Sequence, residues 1–426
     1  MVASPASIGG VRRVGAVIGV LVTVMSVGGM VRLAAPAVSA QSGVRAQLAF
    51  IRDALGGGAA EDAQRSFPEG YFFLHALYGL TWVDVGRREP VGQRAEALRE
   101  ARWALDRLDT PQGRAPFSAT LTPSYGIFYA GWTNWLRGGV LSLQPADRRD
   151  AREAERFAAD SAGIGRAFDA AGTPYLEAYP GQAWPVDSTV AMASLRLHDV
   201  LLPARFGATA DRWLAGVRSR LDPATGLLPH RVDPGTGAPA EVARGTSQSM
   251  ITRFLFEIDP AFGRAQYLRF RDLFVTRPLG LGPAVREFPL GTDGAGDVDS
   301  GPLVFGASLS ATVVTIGAAR VQGDLGLATA LAGYGDLVGF PASTPWTRRY
   351  GFGLVPVGDA FIVWSKASSG WVGRPAEAPP RALPLWWPVP LVLVLATLGL
   401  APWLGWARRV RSRLGLGSWL GRARRA

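Results

Sequence analysis

Between two apolar ends, hydrophobic residues recur along the chain at three- and four-residue intervals, the signature of amphipathic helices. That spacing predicts helices at 42–56, 67–86, 92–108, 122–138, 148–170, 184–202, 207–220, 242–257, 260–276, 300–320, 323–336 and 352–366, joined by Gly- and Pro-rich connections. The last can also be read as a strand, because Phe361-Ile362-Val363-Trp364 is β-prone. Taken in pairs, these segments form six hairpins. The second member of each is the more apolar and the richer in small residues, as at 71–80, 125–136, 186–197 and 303–319. First members such as 148–156 and 264–271 carry more charge. A helix that is apolar on most sides is buried, and one with a polar stripe faces water. Six inner helices within six half-exposed ones predict an all-α fold, an (α/α)6 toroid spanning 41–366; an irregular helical bundle is the alternative.

The apolar ends lie outside that pattern. Arg12 and Arg13 precede an uncharged run at 14–31, and Val38-Ser39-Ala40-Gln41 places small residues where a signal peptidase cuts. Arg32 closes the run as it would close an anchor, so 1–40 reads as a signal peptide or an N-terminal membrane anchor. At the other end, 383–406 is 24 residues without a charge, enough to cross about 30 Å of hydrocarbon at about 1.5 Å per residue. Trp386 and Trp387 flank one side of it and Trp403 and Trp406 the other, where indoles favour the membrane interface. Seven arginines and no acid follow in 407–426. The positive-inside rule puts that tail and Arg12–Arg13 in the cytoplasm. The expectation is a protein of the cell membrane, held in the lipid bilayer through 383–406, with its main domain extracytoplasmic and 367–382 as a Pro/Gly-rich linker.

This topology changes the meaning of the net charge. Of the +11, seven charges belong to the tail and three to Arg12, Arg13 and Arg32, which leaves +1 for the rest. A basic chain is often read as nucleic-acid binding; here no basic patch remains, and no nucleic-acid partner is expected. With no cysteine and only His75, His198 and His230, disulfides, thiolate nucleophiles and histidine-rich metal sites are excluded or disfavoured. No metal or other cofactor is expected. The run Asp293-Gly-Ala-Gly-Asp297-Val-Asp299-Ser-Gly301 is rich in oxygen ligands, but it lacks the spacing and closing glutamate of a calcium loop.

Two connections stand out. Asp222-Pro-Ala-Thr-Gly-Leu-Leu-Pro-His230 has Asp-Pro and Thr-Gly turn steps, and 279–301 is a long Gly/Pro/Asp-rich loop. In a toroid the starts of the inner helices converge on one mouth. The starts here carry carboxylates, amides and aromatics together: Glu69, Tyr125, Trp132 and Asn134, Trp184 and Asp187, Arg244 and Gln248, Asp297 and Asp299. Two carboxylates across a cleft can divide acid and base work. Asp187 and Asp299 are the leading catalytic pair, with Asp297, Glu69 and Glu287 in reserve. Trp184, Tyr125 and Trp132 are candidates to stack on substrate, Arg244 and Gln248 to orient it, and Asn134 to bond it; His230 is placed near the mouth. The competing explanation is capping, since Asp and Ser are favoured at helix starts for their bonds to free N–H groups.

The alternating hairpins and the Asp222-Pro-Ala-Thr-Gly-Leu turn resemble the six-hairpin glycosidase superfamily. The stretches Tyr179-Pro-Gly-Gln-Ala-Trp-Pro-Val-Asp187 and Gly296-Asp-Val-Asp-Ser-Gly-Pro302 are similar to bacterial membrane proteins related to linalool dehydratase-isomerase, another helical toroid. The first resemblance implies a glycan or glycolipid of the cell envelope as ligand and hydrolysis by paired carboxylates. The second implies a lyase or isomerase on a terpenoid alcohol, though that enzyme uses cysteines this chain does not have. A toroid that binds glycan, lipid or protein without catalysis is the third expectation.

Overall fold

The computed structural model describes residues 5–34, 40–374, 383 and 386–413. The chain forms two compact units, and α1 (Pro5–Ala34) belongs to one of them together with the C-terminal helix. Among the described residues, the other unit runs through twelve long α-helices and two short ones. In chain order these are α2 (Ala40–Gly56), α3 (Ala59–Ser66), α4 (Gly70–Arg88), α5 (Ala95–Leu108), the single turn α6 (Pro111–Arg114), α7 (Gly126–Ser142), α8 (Ala151–Ala170), α9 (Pro185–Leu201), α10 (Gly207–Arg218), α11 (Gly245–Ile258), α12 (Pro260–Phe274), α13 (Leu309–Val321), α14 (Leu325–Val338) and α15 (Pro356–Ala367). The C-terminal helix is α16 (Val389–Arg413).

α4, α7, α9, α11, α13 and α15 pack in succession, and α15 returns to α4, which closes a ring of six inner helices. α2, α5, α8, α10, α12 and α14 alternate with them along the chain, so this unit is an (α/α)6 toroid. Sequence explains which helix goes where. α5 buries Ala97, Ala101, Ala104, Leu105 and Leu108, one stripe at helical spacing, and leaves its charged face to water. α4 is buried at nearly every position from Gly70 to Gly86, as an inner helix requires. Glycines let the inner helices approach: a Cβ on Gly131 of α7 would lie 2.9 Å from the Ala191 Cβ of α9. Trp132, Trp135, Phe254 and Trp364 fill the interior, each contributing about 1.5–3 kcal/mol or more of apolar burial.

Because inner and outer helices alternate, all six inner helices run the same way. Their C-terminal ends are sealed by the segment after α15. Glu257 of α11 accepts the backbone N–H groups of Trp371, Val372 and Gly373 at 3.0, 2.8 and 2.9 Å. Asp84 of α4 accepts from Ser369 and from the Trp371 indole at 3.0 Å, and that indole stacks on Trp135 at 4.5 Å. The N-terminal ends stay clear of this seal and are joined by loops with short strands. β1 (Arg231–Val232) pairs with β2 (Pro239–Glu241), while β3 (Val275–Thr276), β4 (Ala284–Arg286) and β5 (Ala307–Ser308) form a small sheet. A third hairpin joins β6 (Ala342–Ser343) to β7 (Arg348–Arg349).

Several expectations are corrected. The helix expected at 352–366 forms as α15 and includes 361–364, so only the strand alternative is set aside, because the residues from Pro356 onward bury a helical stripe. The helix expected from 300 starts at Leu309, where Ser308 accepts the Ala311 N–H as its cap. α3 has no counterpart in the predicted set. The uncharged run at 383–406 does not become one helix: its apolar helical part is Val389–Leu404, which at about 1.5 Å per residue spans roughly 24 Å. Among the described residues, Val14–Leu33 alone is long and apolar enough to cross a membrane. The linker expected at 367–382 is corrected in its first half, because 369–373 pack on the toroid through Asp84 and Glu257. Residues 375–382, Val38-Ser39 of the proposed cleavage region and 414–426 of the arginine-rich tail lie outside the described residues.

Candidate active site

The starts of α4, α9, α11 and α13 bring most of the expected polar residues to one end of the toroid, and the loops fix how they meet. Residue Ala183 bridges to Val232 of β1, which ties the strap before α9 to the loop before α11. Asp222 organises that loop by accepting from Ala224, Thr225 and Ala243. The next junction is tighter. Gly245 donates its N–H to the Glu287 carbonyl at 2.8 Å, and a Cβ there would fall 2.0 Å from the Arg286 oxygen. β4 therefore lies directly against the start of α11, and the loop it leads into carries Asp297 and Asp299 to the same end.

Asp187 stands in the first turn of α9 and is buried at 4% exposure. Neither it nor Trp184 caps the helix, and no donor among the described residues reaches the Asp187 carboxyl. Loss of hydration raises its pKa well above the ordinary carboxylate value, and the charges of Asp299 and Glu69 raise it further. The Asp299 side chain likewise caps nothing: Ser308 caps α13, and Asp299 contributes only its backbone, its N–H to Asp297 at 3.1 Å and its carbonyl to Ser310. It is reachable by solvent, yet the helix ends and loop crowd it. Desolvation first, then the charges of Asp297 and Glu69, push it up to about 6, against the opposing Arg244. Glu69 precedes α4 without capping it and accepts the Tyr179 hydroxyl. Thus Glu69, Asp187 and Asp299 sit within electrostatic reach of one another, and no guanidinium offsets Asp187.

Around them the remaining charges are paired. Arg244 is buried and bonds Glu287 at 2.7 Å and Asp297 at 2.6 Å. Glu287, with no exposed side-chain surface, also accepts from the Thr246 hydroxyl at 2.8 Å, so it holds Arg244 in place. Desolvation pushes the Asp297 carboxyl up, but the Ser300 N–H and the Arg244 charge outweigh it and leave it below the ordinary value. His230 meets the Ser247 hydroxyl through Nδ1 and lies 3.9 Å from Glu241. Burial and Arg244 lower its pKa to about 4, so it is neutral near pH 7. Of the buried polar atoms with no partner among the described residues, Arg244 Nη2 and Gln248 Oε1 belong to this cluster. A native structure rarely leaves such groups unmatched.

The aromatic candidates divide. Trp184 is half-buried and meets Tyr179 edge-on at 5.8 Å; Tyr125 is half-buried against Tyr129 at 5.3 Å. Trp132, in contrast, is 1% exposed and wedged among Phe73, Phe254 and Trp364. Asn134 is equally buried, donating to Ser161 at 3.0 Å and Ser194 at 2.9 Å. Both belong to the interior of the ring, away from the carboxylates. Tyr179 was absent from the predicted set; the signal for it was its place five residues before Trp184 in the same strap. A groove of about 510 Å³ lined by Val91, Leu98, Arg102, Gln144 and Arg148 lies at the opposite end and includes none of these residues.

Fold and site define a class: a helical toroid with three mutually felt carboxyl groups at the N-terminal end of its inner helices. No protein-family model matches the chain, and no curated protein does. Among solved structures it is similar to a GH76 alpha-mannanase of Bacteroides thetaiotaomicron at 10% sequence identity and a TM-score of 0.43, over 69% of this chain and 84% of that one.

Proposed function

We propose that this chain is a membrane-attached toroid enzyme that cleaves a glycan or glycolipid of the cell envelope by paired-carboxylate acid/base catalysis. One observation carries the reading: Asp187 is buried, carries no cap or ion pair, and faces the charges of Asp299 and Glu69. Carboxyl groups whose surroundings separate their protonation are what acid and base roles need. Asp187, held protonated, is the general acid that donates to the leaving oxygen. Asp299, ionised above about pH 6 and open to solvent, is the base or nucleophile. Glu69, fixed by Tyr179, keeps the local field negative, while Trp184 and Tyr125 present rings to the sugar face. Arg244 Nη2 and Gln248 Oε1 supply a donor and an acceptor to its hydroxyls. α1 attaches the enzyme to the membrane, with the toroid on the extracytoplasmic side.

The test is release of reducing ends from extracted envelope glycans and a panel of aryl glycosides. Asp187→Asn and Asp299→Asn are each expected to lower the rate by roughly 10²–10⁴-fold without loss of folded protein. Glycan binding that survives both changes, with no cleavage by the unaltered chain, would assign a non-catalytic binding role instead. Turnover of a terpenoid alcohol through the same two residues would assign a lyase or isomerase.

A further inference from the structure

The unit formed by α1 and α16 is built the opposite way to a water-soluble helix pair. Its large apolar side chains point outward: Val17, Ile18, Leu21, Val24 and Met25 on α1, and Leu393, Leu398 and Leu400 on α16, are all exposed. The small and polar residues point inward. Gly19 and Ser26 are buried, and so is Gly399. A Cβ built on Gly19 would lie 3.1 Å from the Pro402 Cβ, and one on Gly399 would lie 3.2 Å from the Ser26 Cβ. Between those two contacts the Thr23 hydroxyl lies 2.9 Å from the carbonyls of Gly19 and Gly399, and the Trp403 indole donates to Thr23 Oγ1 at 2.8 Å.

In lipid the outward residues need no partner, so helices associate through close backbone approach at small residues and through hydrogen bonds between helices. The geometry here has both features on one face. We infer that α1 is retained in the mature protein and pairs with α16 as a two-helix membrane anchor. Removal of residues 1–40 would leave the Gly399–Pro402 face without its neighbour and the Trp403 N–H without its acceptor. The short apolar run of α16 fits the same arrangement, because a helix shorter than the hydrocarbon is accommodated in part by association with another. The inference stands apart from the catalytic reading and survives if that reading fails.

The absence of cysteine makes the test direct. In the full chain, Ser26→Cys with Gly399→Cys places two thiols on the closest approach of the helices, while Leu21→Cys with Leu398→Cys places them on outward faces. Oxidation in isolated membranes is expected to give an intramolecular crosslink in the first pair and none in the second. Crosslinks only between two chains, or equal crosslinking in both pairs, would overturn the pairing. The intact mass of the unaltered membrane protein provides the second measurement and needs no variant. A mass that includes residues 1–40 is expected, and a mature chain beginning after Ala40 would overturn the inference.

Discussion

Asp187 and Asp299 carry a stability signature opposite to that of a salt-bridged acid. A folded-state pKa raised above the unfolded value means the native state holds its proton while the unfolded chain releases it. Stability is then undiminished below the unfolded pKa, near 4, and falls as pH rises toward the folded one. For Asp299 that window runs from about 4 to about 6; for Asp187 it opens upward from about 4. Asp187→Asn and Asp299→Asn are therefore expected to raise the melting temperature at pH 7.5 and to lose that advantage at pH 4, as thermal melts at the two pH values will show. Equal melting curves at pH 7.5 would mean the carboxyls are not strained. At this scale the sequence exposed the carboxylates, because Glu69 and Asp187 stand at the starts of α4 and α9 and Asp299 lies in the acidic loop that leads to α13. It could not tell depth. Trp132 follows the start of α7 by six residues, roughly 9 Å along the axis, which carries it out of the mouth and into the packed ring. Tyr179 is not assigned to the site from sequence because it sits in a strap with no helical period, and its partner Glu69 is distant in sequence.

For the elements, the contrast between apolar second members and charged first members was enough to order the hairpins, since burial on all sides and burial on one side leave different patterns. Phe361-Ile362-Val363-Trp364 left a strand open as an alternative by residue type, and ring closure against α4 and α2 decides for the helix. The failures are local. The sheet of β3, β4 and β5 joins segments of two or three residues separated by long loops, too short to leave a period. Gly131 tests the ring itself: Gly131→Ala would press a methyl onto Ala191 and is expected to cost about 1–3 kcal/mol in denaturant unfolding. An unchanged midpoint would mean that α7 and α9 are less tightly joined.

Over the whole molecule, the seal closes one end of the ring and leaves the other as its open mouth. Arg253 and Glu257 form a fully buried pair at 2.8 Å while Glu257 also holds 371–373. Removing one member of such a pair strands the other charge, so Glu257→Ala is expected to lower the unfolding free energy by about 3–5 kcal/mol and to open the segment after α15 to protease. A protected segment in that variant would contradict the clamp. The apolar ends were legible as composition alone, because an uncharged run announces itself; where a helix begins within the second was not, since Pro388 and Pro390 frame a start at Val389 that hydropathy does not mark.

The acid/base division between Asp187 and Asp299 is tested most directly by carboxyl carbon NMR of the full chain in micelles, labelled at aspartate and titrated with and without Asp299→Asn. The two groups interact, so the pair is followed as a unit. The account predicts that one carboxyl titrates near 6, that Asp187 titrates well above the ordinary carboxylates, and that Asp299→Asn shifts Asp187 downward. If Asp187 titrates with the ordinary carboxylates near 4, or does not move when Asp299 is neutralised, the two residues do not form an acid/base pair.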